Sequence, residues 1–255
     1  MSRLMAHIAG QETLGAFHLV RLHCPQLAEH LHPGHFILAR VLPTWDPYLR
    51  IALFPARVDR LSCLIYIPPD AGRAASLLLH APTGTPIHVW GPAGHPFPPP
   101  RPQSNVLIIA QEPFVPYILG LAHTASQVAD TVLLVERTGN TLPPDLGWLS
   151  PSVEFRQVPA EGNALETACH TLIPWADMVF VAGPRHWPRY IAHLLEQTWP
   201  LLEPGRAYAI LPYGITCGLG LCDRCALDTP RGRLRACRKG PVLDLGEWFA
   251  ARRRR

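Results

Sequence analysis

The chain has 255 residues and a mass of 28.3 kDa, long for one compact domain and enough for two with a small appendix. Apolar residues make up 48% and charged residues 16%, which supplies real cores and excludes a disordered chain. With 29 prolines and 19 glycines the chain is cut into short strands and turns, so a helical bundle or coiled coil is excluded. The net charge of +4 matches the four arginines at 252–255; the body is near neutral and carries no nucleic-acid footprint. No apolar run reaches the roughly 18 residues of a membrane span. The opening MSRLMAHIAGQETLG lacks a signal-peptide core, so a cytoplasmic chain with reduced thiols is expected.

Residues 1–100 are expected to form a small antiparallel β-barrel. Residues 17–24 (FHLVRLHC) alternate apolar and polar, and 36–42 (FILARVL) follow the turn at Pro33 and Gly34. Residues 60–67 and 87–90 supply two more strands, with turns at 68–69 and 82–84. The stretch 71–80 (AGRAASLLLH) is the one helix-like insertion. The proline-rich 97–102 (FPPPRP) suits neither helix nor sheet and marks a linker.

Residues 101–205 then change rhythm. Strands are expected at 105–110 (NVLIIA), 131–136, 154–158 and 177–182, with helices at 116–127, 162–173 and 187–199. That alternation predicts a doubly wound α/β domain. Residues 206–255 form a third segment, loop-like and rich in cysteine.

Of seven cysteines, Cys24, Cys63 and Cys169 are scattered singly in apolar patterns, as buried small hydrophobes are. Cys217, Cys222, Cys225 and Cys237 are clustered with the spacing C-x4-C-x2-C, followed by a fourth. This is the plant-type pattern for a [2Fe–2S] cluster. Three thiolates from one loop must converge on a small inorganic core, and Gly218 and Gly220 allow the backbone to wrap it. The alternative is a structural zinc site, which more often pairs two short knuckles. Leu219 and Leu221 on this loop, ringed by Arg224 and Arg238, form a candidate docking face; the competing possibility is that both leucines pack under the loop.

The C-terminal string from Cys217 to Cys225, continued by Cys237-Arg238-Lys239-Gly240-Pro241-Val242, resembles the electron-transfer subunit of bacterial dihydroorotate dehydrogenase. Pro33-Gly34-His35-Phe36 resembles that family's PGQF turn and Asp46-Pro47-Tyr48-Leu49-Arg50 its DPFLR. Gly91-Pro92-Ala93-Gly94 resembles GPLG, and Ala182-Gly183-Pro184 resembles CGP. The resemblance implies a ferredoxin-reductase-like protein with a flavin-binding barrel, a nicotinamide-type α/β domain and an appended [2Fe–2S] segment. It also implies FAD, with Arg50 and Gly72 as candidate contacts, and a catalytic oxidoreductase subunit as partner in a hetero-oligomer.

Three positions depart from the pattern. The family's R-P-x-S reads Ile51-Ala52-Leu53-Phe54 here, and its G-x-G-T reads Gly72-Arg73-Ala74-Ala75. The glycine loop that admits a dinucleotide phosphate reads Ala110-Gln111-Glu112-Pro113-Phe114, where a carboxylate would repel phosphate. NAD is therefore not expected, and FAD rests on the resemblance.

His30, His32 and His35 around one turn are expected to be an ordinary polar turn, and no nucleophile–base arrangement points to a hydrolase. The expected function is electron transfer by an iron–sulfur protein, with flavin, for a separate partner. The alternative is a non-redox scaffold holding zinc or a vestigial cluster.

Overall fold

The computed structural model describes residues 2–41, 46–68, 72–143, 145 and 147–249. The ends of the predicted segments at 42, 69 and 71, and the arginines at 252–255, lie outside the described residues.

Strands β1 (Ser2–Leu14) and β2 (Phe17–His23) open the barrel, and a short helix α1 (Pro25–Ala28) follows. Strands β3 (Phe36–Val41), β4 (Ile51–Val58) and β5 (Ser62–Ile67), helix α2 (Gly72–His80) and strand β6 (Pro86–Ala93) complete it. The barrel closes in the order β1-β2-β5-β4-β3-β6, every pair antiparallel. Ile8, Leu22, Ile37, Leu53, Ile65 and Ile87 fill its interior, and Ala75 and Leu78 of α2 join the same core. Burying each such side chain contributes about 1.5–3 kcal/mol.

Two of these strands are not foreseen by the alternation pattern. In β1 only Ala6 and Ile8 are buried among thirteen residues. Strand β4 carries Pro55 at a register shift between Pro55 and Arg57, the kind of place where a strand tolerates a missing donor.

The predicted linker is packed rather than loose. Phe97 is buried, its ring meets Phe180 edge-on at 5.6 Å, and its amide donates to Pro33 O at 2.9 Å.

The second half begins with β7 (Asn105–Gln111), a 3-10 turn at Glu112–Tyr117, helix α3 (Leu119–Ala125) and strand β8 (Asp130–Arg137). Next come β9 (Val153–Pro159), α4 (Ala164–Leu172), β10 (Met178–Ala182), α5 (Trp187–Thr198) and β11 (Ala207–Ile210). The chain ends with a hairpin of β12 (Ala226–Thr229) and β13 (Gly232–Arg235), then α6 (Ala236–Lys239), β14 (Val242–Asp244) and α7 (Leu245–Trp248).

The six-stranded sheet runs β14-β11-β10-β7-β8-β9, parallel except for β14. Residues 106–110 and 178–182 are buried throughout, as a sheet covered on both faces requires. In α4, Leu165, Cys169 and Leu172 form the buried stripe, and in α5 Trp187, Ile191, Leu194 and Leu195 do so. The fold is thus an antiparallel barrel joined to a doubly wound α/β domain. One expectation is corrected: the chain beyond 206 is not all loop. Strands β11 and β14 belong to the large sheet, and the cysteine segment is a loop and hairpin held between them.

Candidate redox centre

The loop from Gly214 to Cys225 carries the first three clustered cysteines. Gly218 has φ +67° and Gly220 φ +77°, a region that side chains with a Cβ rarely enter. A Cβ on Gly218 would stand 2.7 Å from Leu38 Cδ1, and one on Gly220 2.7 Å from Arg238 Cγ. Gly218 therefore serves the turn and the close approach to the barrel, and Gly220 the turn and the approach to α6.

The fourth cysteine arrives through the hairpin. Pairing of Ala226 with Arg235 places Cys225 beside Ala236, whose amide donates to Cys225 O at 3.1 Å. The eleven residues between Cys225 and Cys237 are thereby folded back, and Cys237 comes close enough to Cys225 for that neighbour to raise its pKa. Cys222 is likewise close enough to lower the Cys217 thiol. Cys217 is half-exposed and Cys222 exposed, whereas Cys225 and Cys237 are buried.

Among the described residues no three His, Cys, Asp or Glu groups are placed to hold a single metal ion. Four thiolates are the ligand number that a dinuclear [2Fe–2S] core takes. A hollow of about 360 Å³ lies beside Cys237, bordered by Gly218, Arg238 and residues 92–95.

Backbone donors surround these sulfurs. Burial raises the Cys217 thiol, but the amides of Leu219, Cys222 and Leu221 pull it lower, to about 6. The Leu219 amide is 3.4 Å from its Sγ. Cys237 is pushed up to about 12 by burial and by its neighbour Cys225, while the Gly220 amide opposes this. The other cysteines behave as buried hydrophobes: burial pushes Cys63 and Cys169 to about 12, and Cys24 is 4% exposed.

The loop surface is apolar at its tip and cationic at its side. Leu219 is 50% exposed and Leu221 80%, so neither packs beneath the loop. Arg233, Arg235, Arg238 and Lys239 border a groove with Leu219 and Trp248, and Arg235 pairs with Asp223. Arg224 is not part of this rim; it lines the cleft between barrel and α/β domain.

That cleft encloses about 740 Å³. Arg50 and Gly72, the two flavin candidates, both line it, with Arg73, Arg224 and the aromatic rings of Tyr66, Phe114, Tyr117 and Tyr213. No sequence spacing links these rings, which come from β5, the 3-10 turn and the loop after β11. Arg50 stacks 3.7 Å from the centre of the Trp90 ring, and its Nη2 lies 3.1 Å from His88 Nδ1. Burial, then Arg40 and Arg3, lower the pKa of Arg50, and its Nε is buried with no acceptor. A guanidinium with an orphaned donor among other cations suits an anionic group such as a pyrophosphate. The cleft is large enough for a flavin. Leu53 turns into the barrel core, Ile51 and Ala52 line the cleft, and Phe54 is buried against Tyr117 at 5.2 Å, so this stretch offers the cleft no hydroxyl.

His32, His35 and their turn behave as a packed turn: His32 N donates to His35 Nδ1 at 3.0 Å, and burial lowers His35 to about 4.

Residues 214–248 match the iron–sulfur cluster binding domain of dihydroorotate dehydrogenase B. The chain is 25% identical over 221 residues to the electron transfer subunit of dihydroorotate dehydrogenase B (NAD(+)) of Clostridium acetobutylicum, covering 84% of each. Its fold is similar to that of NADH-dependent reduced ferredoxin-NADP oxidoreductase, with a TM-score of 0.76, 17% identity and coverage of 96% and 90%. It is also similar to phthalate dioxygenase reductase, with a TM-score of 0.60, 15% identity and coverage of 98% and 95%. The fold is ferredoxin-reductase-like. Among the described residues no helix is long and apolar enough to cross a membrane.

Proposed function

We propose that this chain is the electron-transfer subunit of an oxidoreductase complex of dihydroorotate dehydrogenase B type. Cys217, Cys222, Cys225 and Cys237 hold one [2Fe–2S] cluster, and the cleft lined by Arg50 and Gly72 holds FAD. The observation that carries this is the set of four cysteines, three on a glycine-bearing loop and the fourth returned beside Cys225 by the β12–β13 hairpin, within a segment matching an iron–sulfur domain. Bound there, the cluster exchanges single electrons and the flavin links one-electron to two-electron steps.

The chain's own residues do the holding. The amides of Leu219, Leu221 and Cys222 stabilise thiolate at Cys217. Arg50, Arg73 and Arg224 offset pyrophosphate charge, and the first turn of α2 at Gly72 adds backbone donors. Leu38 presses the Gly218 turn against the barrel, fixing the loop relative to the cleft.

The partner is a catalytic subunit that docks on the exposed Leu219 and Leu221, with Arg233, Arg238 and Lys239 beside them. Nothing else on the described surface combines exposed apolar residues with the cysteine loop.

The test is anaerobic purification of wild type, Cys225→Ala, and Cys24→Ala, Cys63→Ala and Cys169→Ala. Visible absorbance and iron should be lost in Cys225→Ala and kept in the other three. Full iron in Cys225→Ala removes the ligand assignment.

A further inference from the structure

In a doubly wound sheet a dinucleotide lies in the crevice at the carboxyl ends of the strands, where the chain order reverses. Here the order β14-β11-β10-β7-β8-β9 puts that crevice between β7 and β10. The phosphate-cradling turn of such a site would follow β7, and its second wall would follow β10. Both places are filled by the chain itself.

After β7 the turn begins with Glu112, whose side chain is 0% exposed. The carboxylate does not face a phosphate site, as the sequence alone suggests. It faces inward and accepts four backbone N–H groups from the loop after β8. Thr138 and Gly139 donate to Oε2 at 3.0 and 2.8 Å, and Thr141 and Leu142 donate to Oε1 at 2.7 and 3.1 Å. Arg137 Nε lies 3.3 Å away. Four converging amides and a guanidinium are the donor set that a phosphate would take, and here a side chain satisfies it. Against its burial these donors still hold Glu112 below the usual carboxylate range. Pro113, next in the turn, has no N–H to offer.

After β10 the wall is equally occupied. The Trp187 ring, 2% exposed, lies against Gly183 where a ligand would approach. The Tyr213 hydroxyl donates to Gly183 O, and Tyr213 meets Phe114 edge-on at 5.8 Å. Arg185, also in this wall, donates to Ala226 O at the base of the cysteine hairpin. Arg185 thus ties this wall to the cysteine hairpin, while Phe114 and Tyr213 turn their rings to the cleft assigned to the flavin.

We infer that the α/β domain has no pyridine-nucleotide site: Glu112 serves as its internal anion, and reducing equivalents enter and leave this chain only through protein-borne flavin or iron–sulfur carriers. This rests on the proposed function for the cofactors, and differs from the relative whose name includes NAD(+). Hydride transfer from NADH or NADPH has no seat in this crevice, because the turn after β7 opens on the inward-facing Glu112 and the donorless Pro113, and the space beside Gly183 is taken.

The test uses the full chain with its cofactors, under anaerobic conditions. Binding is read by saturation-transfer NMR with NADH and, separately, NADPH at about 1 mM, the upper end of ordinary KM values. The Clostridium acetobutylicum relative serves as the positive control. Reduction is read from visible absorbance, with dithionite as the reference reductant. The expected result is no transfer signal and no bleaching by either nucleotide, with full bleaching by dithionite. Saturable binding, or bleaching by NADH, overturns the inference. Because the binding arm needs no cofactor, a colourless preparation would count against the proposed function while the binding result still decides this inference. Hydrogen exchange adds a positive readout. The amides of Thr138, Gly139, Thr141 and Leu142 should exchange slowly, and roughly tenfold or more faster in Glu112→Gln, an opening equivalent to about 1.4 kcal/mol. Fast exchange of all four in wild type would show them free for a ligand and would overturn it as well.

Discussion

Glu112→Gln isolates a buried carboxylate without changing side-chain volume. In the wild type each carboxylate oxygen accepts two backbone N–H groups. The amide keeps one oxygen and turns an NH2 toward the other pair, so either Thr138 and Gly139 or Thr141 and Leu142 lose their acceptor. Each buried donor left unpaired costs about 1–3 kcal/mol, and the nearby Arg137 loses its counter-charge. The expected loss is about 3–5 kcal/mol, the range for breaking one side of a buried charged network. Its pH dependence has a definite sign. The folded pKa is lowered, so the stabilisation is fully present above the unfolded carboxylate value and fades as pH falls through the folded one. Urea unfolding followed by tryptophan fluorescence at pH 7, and again at stepwise lower pH, measures both. The wild-type advantage should be greatest at neutral pH and shrink in acid. A loss below about 1 kcal/mol at pH 7, the size of an average point mutation, would refute the inward-facing role of Glu112.

Three further outcomes are expected. Gly218→Ala forces a Cβ into left-handed backbone and against Leu38, at about 1–2 kcal/mol for the conformation alone. Visible absorbance per chain should fall, while Gly10→Ala, with nothing within 4 Å, should leave it unchanged. Arg50→Ala removes a charge-assisted contact of about 1.5–3 kcal/mol, so the FAD dissociation constant, read by flavin fluorescence, should rise at least roughly tenfold. Leu221→Asp should weaken co-purification with the native partner while the cluster spectrum and melting temperature stay unchanged, since that side chain is 80% exposed; an unchanged complex removes this face.

The barrel and sheet are legible in the sequence where a strand has a clear buried set. Residues 17–24 alternate, and 105–110 are continuously apolar, and both are strands. Strand β1 buries only Ala6 and Ile8, and β4 carries Pro55 in a bulge, so neither stands out by pattern. The cysteine loop is legible because four thiols and two glycines sit at fixed spacing. The return of Cys237 beside Cys225 is not, since it depends on the register of β12 with β13. The aromatic lining of the cleft comes from separate elements with no shared period. Glu112 illustrates the same limit: its type is visible, but its partners lie 26 to 30 residues away and turn a repelling charge into an internal tie.

The most direct test of the central claim is the stoichiometry of iron, acid-labile sulfide, zinc and flavin in the anaerobically purified chain, with low-temperature EPR of the dithionite-reduced protein. An electron-transfer subunit of this kind gives iron and sulfide in equal amounts, about two of each per chain, with flavin and a reduced [2Fe–2S] signal. Zinc in place of iron, with no sulfide and no EPR signal, would contradict it.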